Sequence, residues 1–174
     1  MKKIFKYIFA GMAAMSVVAC SEDALETSPS SSVSGNELLG TATNALVSLN
    51  GVYRAMYTAG VSNSSNTHQC FGITAYNLVA DVMGEDCIMN GQGSGWFWYD
   101  CVYNVKSRYT STGWRSYDMW NGYYTWISNV NYILAEEETM SGSETEKNYV
   151  LGQAYAVRAY SYFMLAQMFS RTYK

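Results

Sequence analysis

The segment WRSYDMWNGYYTWISNVNYILAEEETMSGSETEKNYVLGQAYAVRAYSYFMLAQMF, residues 114–169, decides the fold class. Over about 114–138 it sets Tyr117, Trp120, Tyr124, Ile127, Asn131 and Leu134 at steps of three and four, which gathers side chains on one face of an α-helix. A second helix is predicted from the capping-box pattern Ser143-x-x-Glu146 to about residue 169. Leu151, Tyr155, Tyr162, Ala166 and Phe169 share one side of it, and Val150, Ala154, Val157 and Met164 widen the stripe. Both helices are apolar over much of their circumference, as expected of helices packed between neighbours, and Tyr117, Trp120 and Tyr124 are assigned to the core. The linker 139–142 is short enough to force an antiparallel αα-hairpin. Glu136-Glu137-Glu138 fits this boundary badly, because a helix C-terminus favours bases over acids; an earlier helix end removes the conflict.

Toward the N-terminus, Leu38, Ala42, Ala45, Leu49, Val52 and Met56 repeat the helical spacing, with Leu39, Leu46 and Tyr53 beside them and Gly60 as the stop. Residues 61–112 have no sustained period. They hold the polar run Ser62-Asn63-Ser64-Ser65-Asn66, a short helical candidate over 75–83, and the spaced glycines Gly91, Gly93 and Gly95 followed directly by Trp96-Phe97-Trp98-Tyr99-Asp100. An excursion this long in a compact domain is functional or disordered, and the aromatic density argues against disorder.

The chain opens MKKIFKYIFAGMAAMSVVAC. Lys2, Lys3 and Lys6 form a positive start, residues 7–18 are uncharged and largely apolar, and small Ala19 precedes Cys20, the anatomy of a secretory signal. A membrane span needs roughly 18 or more apolar residues, and Ser21, Glu22 and Asp23 stop this run early. Val17-Val18-Ala19-Cys20 looks like the recognition site of lipoprotein signal peptidase, which predicts a signal peptide over 1–19 and lipid on Cys20. Each buried CH₂ contributes about 0.8 kcal/mol, so several chains hold stably where one does not; resemblance to bacterial lipoproteins implies a multiply acylated Cys20. Ser21-Glu22-Asp23 resembles an acidic signal for the outer face of the outer membrane. Residues 20–35, rich in Ser, acid and Gly around the single Pro29, read as a flexible tether.

Removing the leader leaves eight of the 11 basic residues against all 14 acids, a net charge of −6. No basic cluster remains to track a phosphate backbone, which excludes a nucleic-acid partner. Cys70, Cys87 and Cys101 form no C-x-x-C pair; one disulfide with a spare thiol and three buried free cysteines both fit. Sixteen tyrosines and five tryptophans supply side chains suited to half-wet surfaces that meet ligands.

Five segments resemble, in order, the SusD/RagB family of outer-membrane nutrient-binding lipoproteins: the tether with Pro29, Leu46 to Arg54 (LVSLNGVYR), Leu78-Val79-Ala80-Asp81, Trp120 to Asn131 (WNGYYTWISNVN), and Gln153 to Phe163 (QAYAVRAYSYF). The resemblance implies an all-α scaffold of tetratricopeptide-like helical hairpins with a long irregular excursion that binds ligand. It further implies a cell-surface, lipid-anchored, non-catalytic protein that needs no cofactor, captures an oligosaccharide or another nutrient, and passes it to a TonB-dependent, SusC-like outer-membrane transporter. Ala159-x-x-x-Phe163-x-x-Ala166 fits the second helix of a tetratricopeptide unit, whereas the Trp-Leu-Gly-Tyr order before it is missing. Family members are longer, so residues 36–174 are expected to be the N-terminal part of a truncated SusD-like domain. The competing expectation is a non-catalytic helical protein-interaction module on the cell surface.

Trp96, Trp98 and Tyr99 are the candidate ligand residues. In an extended segment Trp96 and Trp98 point the same way and form a flat platform for sugar rings; a loop anchor tucked against the helices is the alternative. No catalytic or metal set stands out. His68 reads as a surface-loop histidine, Asp81 and Glu85 as a solvated pair, and a calcium site from Asp81, Glu85, Asp86 and Asp100 carries little weight. Asn129 and Asn131 are expected inside the bundle, and Arg158 as a buried ion-pair partner.

Overall fold

The computed structural model describes residues 38–60, 67–84, 87–102 and 109–171. The signal peptide 1–19, Cys20, the tether 20–35, Glu85 and Asp86 lie outside the described residues. The fold is all-α, and among the described residues it contains α1 (Ala42–Ala55), α2 (Ile73–Met83), the one-turn α3 (Trp98–Cys101), α4 (Trp114–Ala135) and α5 (Glu144–Phe169). No helix among these residues is long and apolar enough to cross a membrane.

Helix α1 starts where the Thr41 hydroxyl accepts the Asn44 N–H at 3.1 Å, a side-chain cap for an otherwise orphaned donor. Ala42, Ala45, Leu49, Val52 and Met56 of the expected stripe are buried, whereas Leu38 is exposed and Leu39 takes the inward place. The helix stops at Ala55, short of Gly60. Ile73 N–H donates to Met56 O at 2.8 Å, stapling the end of α1 to the start of α2. Gly72 makes this possible: at φ 67° it lies so close to Met56 O that any Cβ would overlap it. Gly60 instead donates its N–H to Cys70 O at 3.1 Å.

The α4–α5 hairpin forms as expected. Helix α4 ends at Ala135, and Glu136–Thr139 form a turn, so the three glutamates follow the last helical residue instead of lying within the helix. The capping box of α5 is complete: the Ser143 hydroxyl accepts the Glu146 N–H, and the Glu146 carboxylate accepts Ser143 N–H at 2.9 Å. Those Ser143 hydrogen bonds hold the Glu146 carboxyl below its ordinary range. The linker also pins α1, since Ala42 N–H donates to Ser141 O and Ser141 N–H to Gly40 O, both at 2.9 Å.

The inward face of α4 differs from the expected one. Met119, Tyr123, Trp126, Ile127, Val130, Ile133 and Leu134 are buried, while Tyr117, Trp120 and Tyr124 are exposed. Gly122 decides this: the Tyr76 ring of α2 lies against it, the Tyr76 hydroxyl donates to Asp118 O at 3.0 Å, and a Cβ at position 122 would overlap that hydroxyl. Helix α5 likewise buries its smaller face, Val150, Leu151, Ala154, Val157, Ser161 and Leu165, and leaves Tyr155, Tyr162 and Phe169 outward. Helix α1 packs against both partners of the hairpin.

Candidate functional site

The segment predicted to bind ligand is shaped by one unusual backbone position. Phe97 has φ 56° and is the only non-glycine residue with positive φ among the described residues. A bulky side chain there costs roughly 1–3 kcal/mol and persists only when its surroundings over-determine it. The Gln69 side chain accepts Phe97 N–H at 2.9 Å. The Phe97 ring meets Phe71 edge-on with centroids 6.0 Å apart, and the Arg115 guanidinium lies 5.0 Å above it. From Phe97 the chain turns into α3, with Asp100 and Cys101 N–H donating back to Phe97 O at 3.1 and 3.2 Å.

This turn corrects the extended platform expected for Trp96 and Trp98. Phe97 and Asp100 point inward, 7% and 8% exposed, while Trp96 and Tyr99 remain 48% and 41% exposed; Trp98, between them, is half-buried. The solvent-facing pair is therefore Trp96 with Tyr99, while Phe97 and Asp100 anchor the loop. His68, exposed in the short 3₁₀ turn Thr67–Gln69, flanks Trp96 with ring centroids 5.3 Å apart.

Beneath the loop lies a charge cluster that sequence reading missed. Arg115, in the first turn of α4 and 3% exposed, donates from Nη2 to Asp100 Oδ2 at 2.9 Å and from Nε to Asp100 Oδ1 at 3.2 Å. Its Nη1 donates to Gln69 O at 2.8 Å and lies 4.0 Å from Asp118 Oδ2. The guanidinium also stacks 4.2 Å from the Trp114 ring centroid. The Tyr109 hydroxyl donates to Asp100 Oδ1; burial, and then this bond, push the Tyr109 phenol above its ordinary range. Fork-to-fork arginine–carboxylate pairing fixes geometry as well as charge. Asp100 is therefore engaged by arginine and phenol, and among the described residues no group of three His, Cys, Asp or Glu gathers to hold a metal.

Arg158, expected to be the buried ion-pair partner, instead donates to Asn131 Oδ1 at 3.0 Å and covers the Tyr155 ring at 4.9 Å, on a largely exposed face. Asn129 and Asn131 are exposed rather than inside the bundle. Cys70 is buried, Cys101 half-buried and Cys87 exposed, and none is disulfide-bonded. The one signal for Arg115 was a cation placed in an aromatic run; its partner lies fifteen residues away across an irregular connection, where periodicity has nothing to report.

A second aromatic surface lies on the outer side of the hairpin. Trp120 is 4.6 Å from Tyr124 and 5.1 Å from Phe169, and Tyr124 is 6.4 Å from Tyr162, all between ring centroids. Beside it is a recess of about 330 Å³ lined by Ser111, Ser116, Tyr117, Trp120 and Phe169. Exposed ring faces such as these and those of the loop suit contact with the C–H face of a sugar.

The family model for SusD-like proteins, described as starch-binding associating with outer membrane, matches residues 89–174, which include the aromatic loop, Arg115 and the whole α4–α5 hairpin. No curated protein and no solved structure matches the chain.

Proposed function

We propose that this chain, whose residues 89–174 match the SusD-like family model described as starch-binding associating with outer membrane, captures a starch-type oligosaccharide at the cell surface without cleaving it. The observation that carries this reading is the position of the aromatic loop inside the matched residues, with Trp96 and Tyr99 facing solvent. Trp96, Trp98 and Tyr99 are the ligand residues, the first and last stacking on sugar rings and Trp98 lining the edge of the contact. Residues 1–19 direct export and are removed, lipid on Cys20 holds the protein at the outer membrane, and 20–35 tether the domain that starts at residue 36. The α4–α5 hairpin acts as one tetratricopeptide-like unit of that domain. The captured glycan passes to a TonB-dependent, SusC-like transporter.

Isothermal titration of the detergent-solubilised full chain with maltoheptaose tests the reading. Saturable binding that weakens by roughly 1–3 kcal/mol per ring removed, as for other stacked aromatic contacts, is expected for Trp96→Ala and Tyr99→Ala. Binding of equal strength in both variants and the wild type rules the loop out. The second reading, a non-catalytic protein-interaction module, draws on the exposed cluster of Trp120, Tyr124, Tyr162 and Phe169, and a wild-type chain that binds no glycan would favour it.

A further inference from the structure

We propose that Arg115 is the positioning residue of the ligand loop: it grips the inner side of residues 97–101 and so keeps Trp96 and Tyr99 facing outward. This deepens, and rests on, the reading of that loop as the glycan-binding surface. Arg115 touches the loop in three ways. Its fork takes both oxygens of Asp100. Its Nη1 takes the carbonyl of Gln69, the residue whose side chain holds Phe97 N–H. Its face covers the Phe97 ring. All three contacts go to the loop or to the turn that clamps it.

The choice of an ion pair here is informative. Burying two charges costs desolvation, and well-packed apolar residues of similar volume often stabilise a fold as well or better. What a planar, bidentate pair adds is orientation. It fixes Asp100, and through one turn of α3 it fixes the direction of Tyr99 beside it. Across Phe97, whose ring it covers, it maintains the left-handed conformation that separates Trp96 from α3. Lysine at 115 keeps the charge but loses both the fork and the stacking face; Asp100→Asn keeps the volume and loses the charge-assisted pair.

The test compares wild type, Arg115→Lys and Asp100→Asn in the full chain. Amide hydrogen exchange is read at Phe97, Asp100, Cys101 and Val102, whose N–H groups bond within the loop or to Gln69, and along α4 and α5. Maltoheptaose affinity is measured alongside. Both variants should exchange these loop amides roughly tenfold faster and bind maltoheptaose roughly tenfold more weakly, with the amides of Tyr123 to Leu134 and Val150 to Leu165 unchanged. Loop amides that do not change, or loop and helix amides that speed up together, overturn the proposal and leave Arg115 as an ordinary stabilising group. Faster loop exchange with undiminished affinity overturns it too. A wild type that does not bind maltoheptaose overturns the glycan reading instead, and the exchange comparison still decides whether Arg115 holds the loop.

Discussion

Helix α4 contributes to two aromatic clusters of similar composition and opposite fate. Tyr123 and Trp126 join Tyr76 of α2 in the core, with ring centroids 5.0 to 5.9 Å apart. Trp120 and Tyr124 join Tyr162 and Phe169 of α5 on the outside, at 4.6 to 6.4 Å. Ring spacing does not separate them. What differs is the opposing surface: in the inner cluster Tyr76 closes over Gly122, where the missing Cβ leaves room for its ring. Tyrosine and tryptophan pair a large apolar ring with a polar handle and tolerate both settings, so clustering of aromatics on a helix does not by itself mark a core.

The largest expected contrast comes from removing one ring on each side. Trp126 is fully buried and Trp120 46% exposed. Trp126→Ala should cost about 3–5 kcal/mol, a large share of a domain's roughly 5–15 kcal/mol. Trp120→Ala should cost about 1 kcal/mol or less. Urea unfolding of both variants measures the difference, and equal losses would mean that the outer cluster is core after all.

A smaller effect tests the reason for the choice of face. Gly122→Ala forces the Cβ onto the Tyr76 hydroxyl, which is tied to Asp118 O, and should destabilise by about 1–3 kcal/mol through overpacking. Gly152→Ala, in open space on α5, should stabilise by about 0.5–1 kcal/mol through helix propensity. Opposite signs in thermal unfolding sharpen the comparison; the same sign breaks it.

The smallest contrast is in alkaline titration. Burial pushes the phenols of Tyr76 and Tyr123 above their ordinary value of 10.0. Below that pH both folded and unfolded states keep these protons, and the contribution to stability is whole. Above it the unfolded chain releases them first, so stability falls as pH rises. Phenolate absorbance followed together with circular dichroism should show these tyrosines ionising only as helix is lost. Complete phenolate formation before any loss of helix would remove them from the core.

Much of this molecule was legible in local sequence. Ser143 and Glu146 announced the start of α5, the three glutamates already argued for an earlier end to α4, and the stripe of α1 held from Ala42 to Met56. The aromatic loop was legible as a feature but not as a shape, because nothing in Trp96-Phe97-Trp98 signals a left-handed phenylalanine. That conformation is paid for by Gln69 and Arg115, which are distant in sequence.

Sequence alone determined the all-α class, the hairpin, its cap and the place of the loop, since caps and the 3.6-residue period are short-range properties written within a few residues. Tertiary structure alone decided which aromatic face of α4 is buried, which arginine finds an acid, and that Trp96 looks outward with Tyr99 rather than Trp98. Each of those outcomes is fixed by a partner that chain order does not bring near: Tyr76 against Gly122, Asp100 against Arg115, Gln69 against Phe97. A helix that is apolar all round offers several faces of similar hydrophobicity, and only the shape of what packs against it selects one.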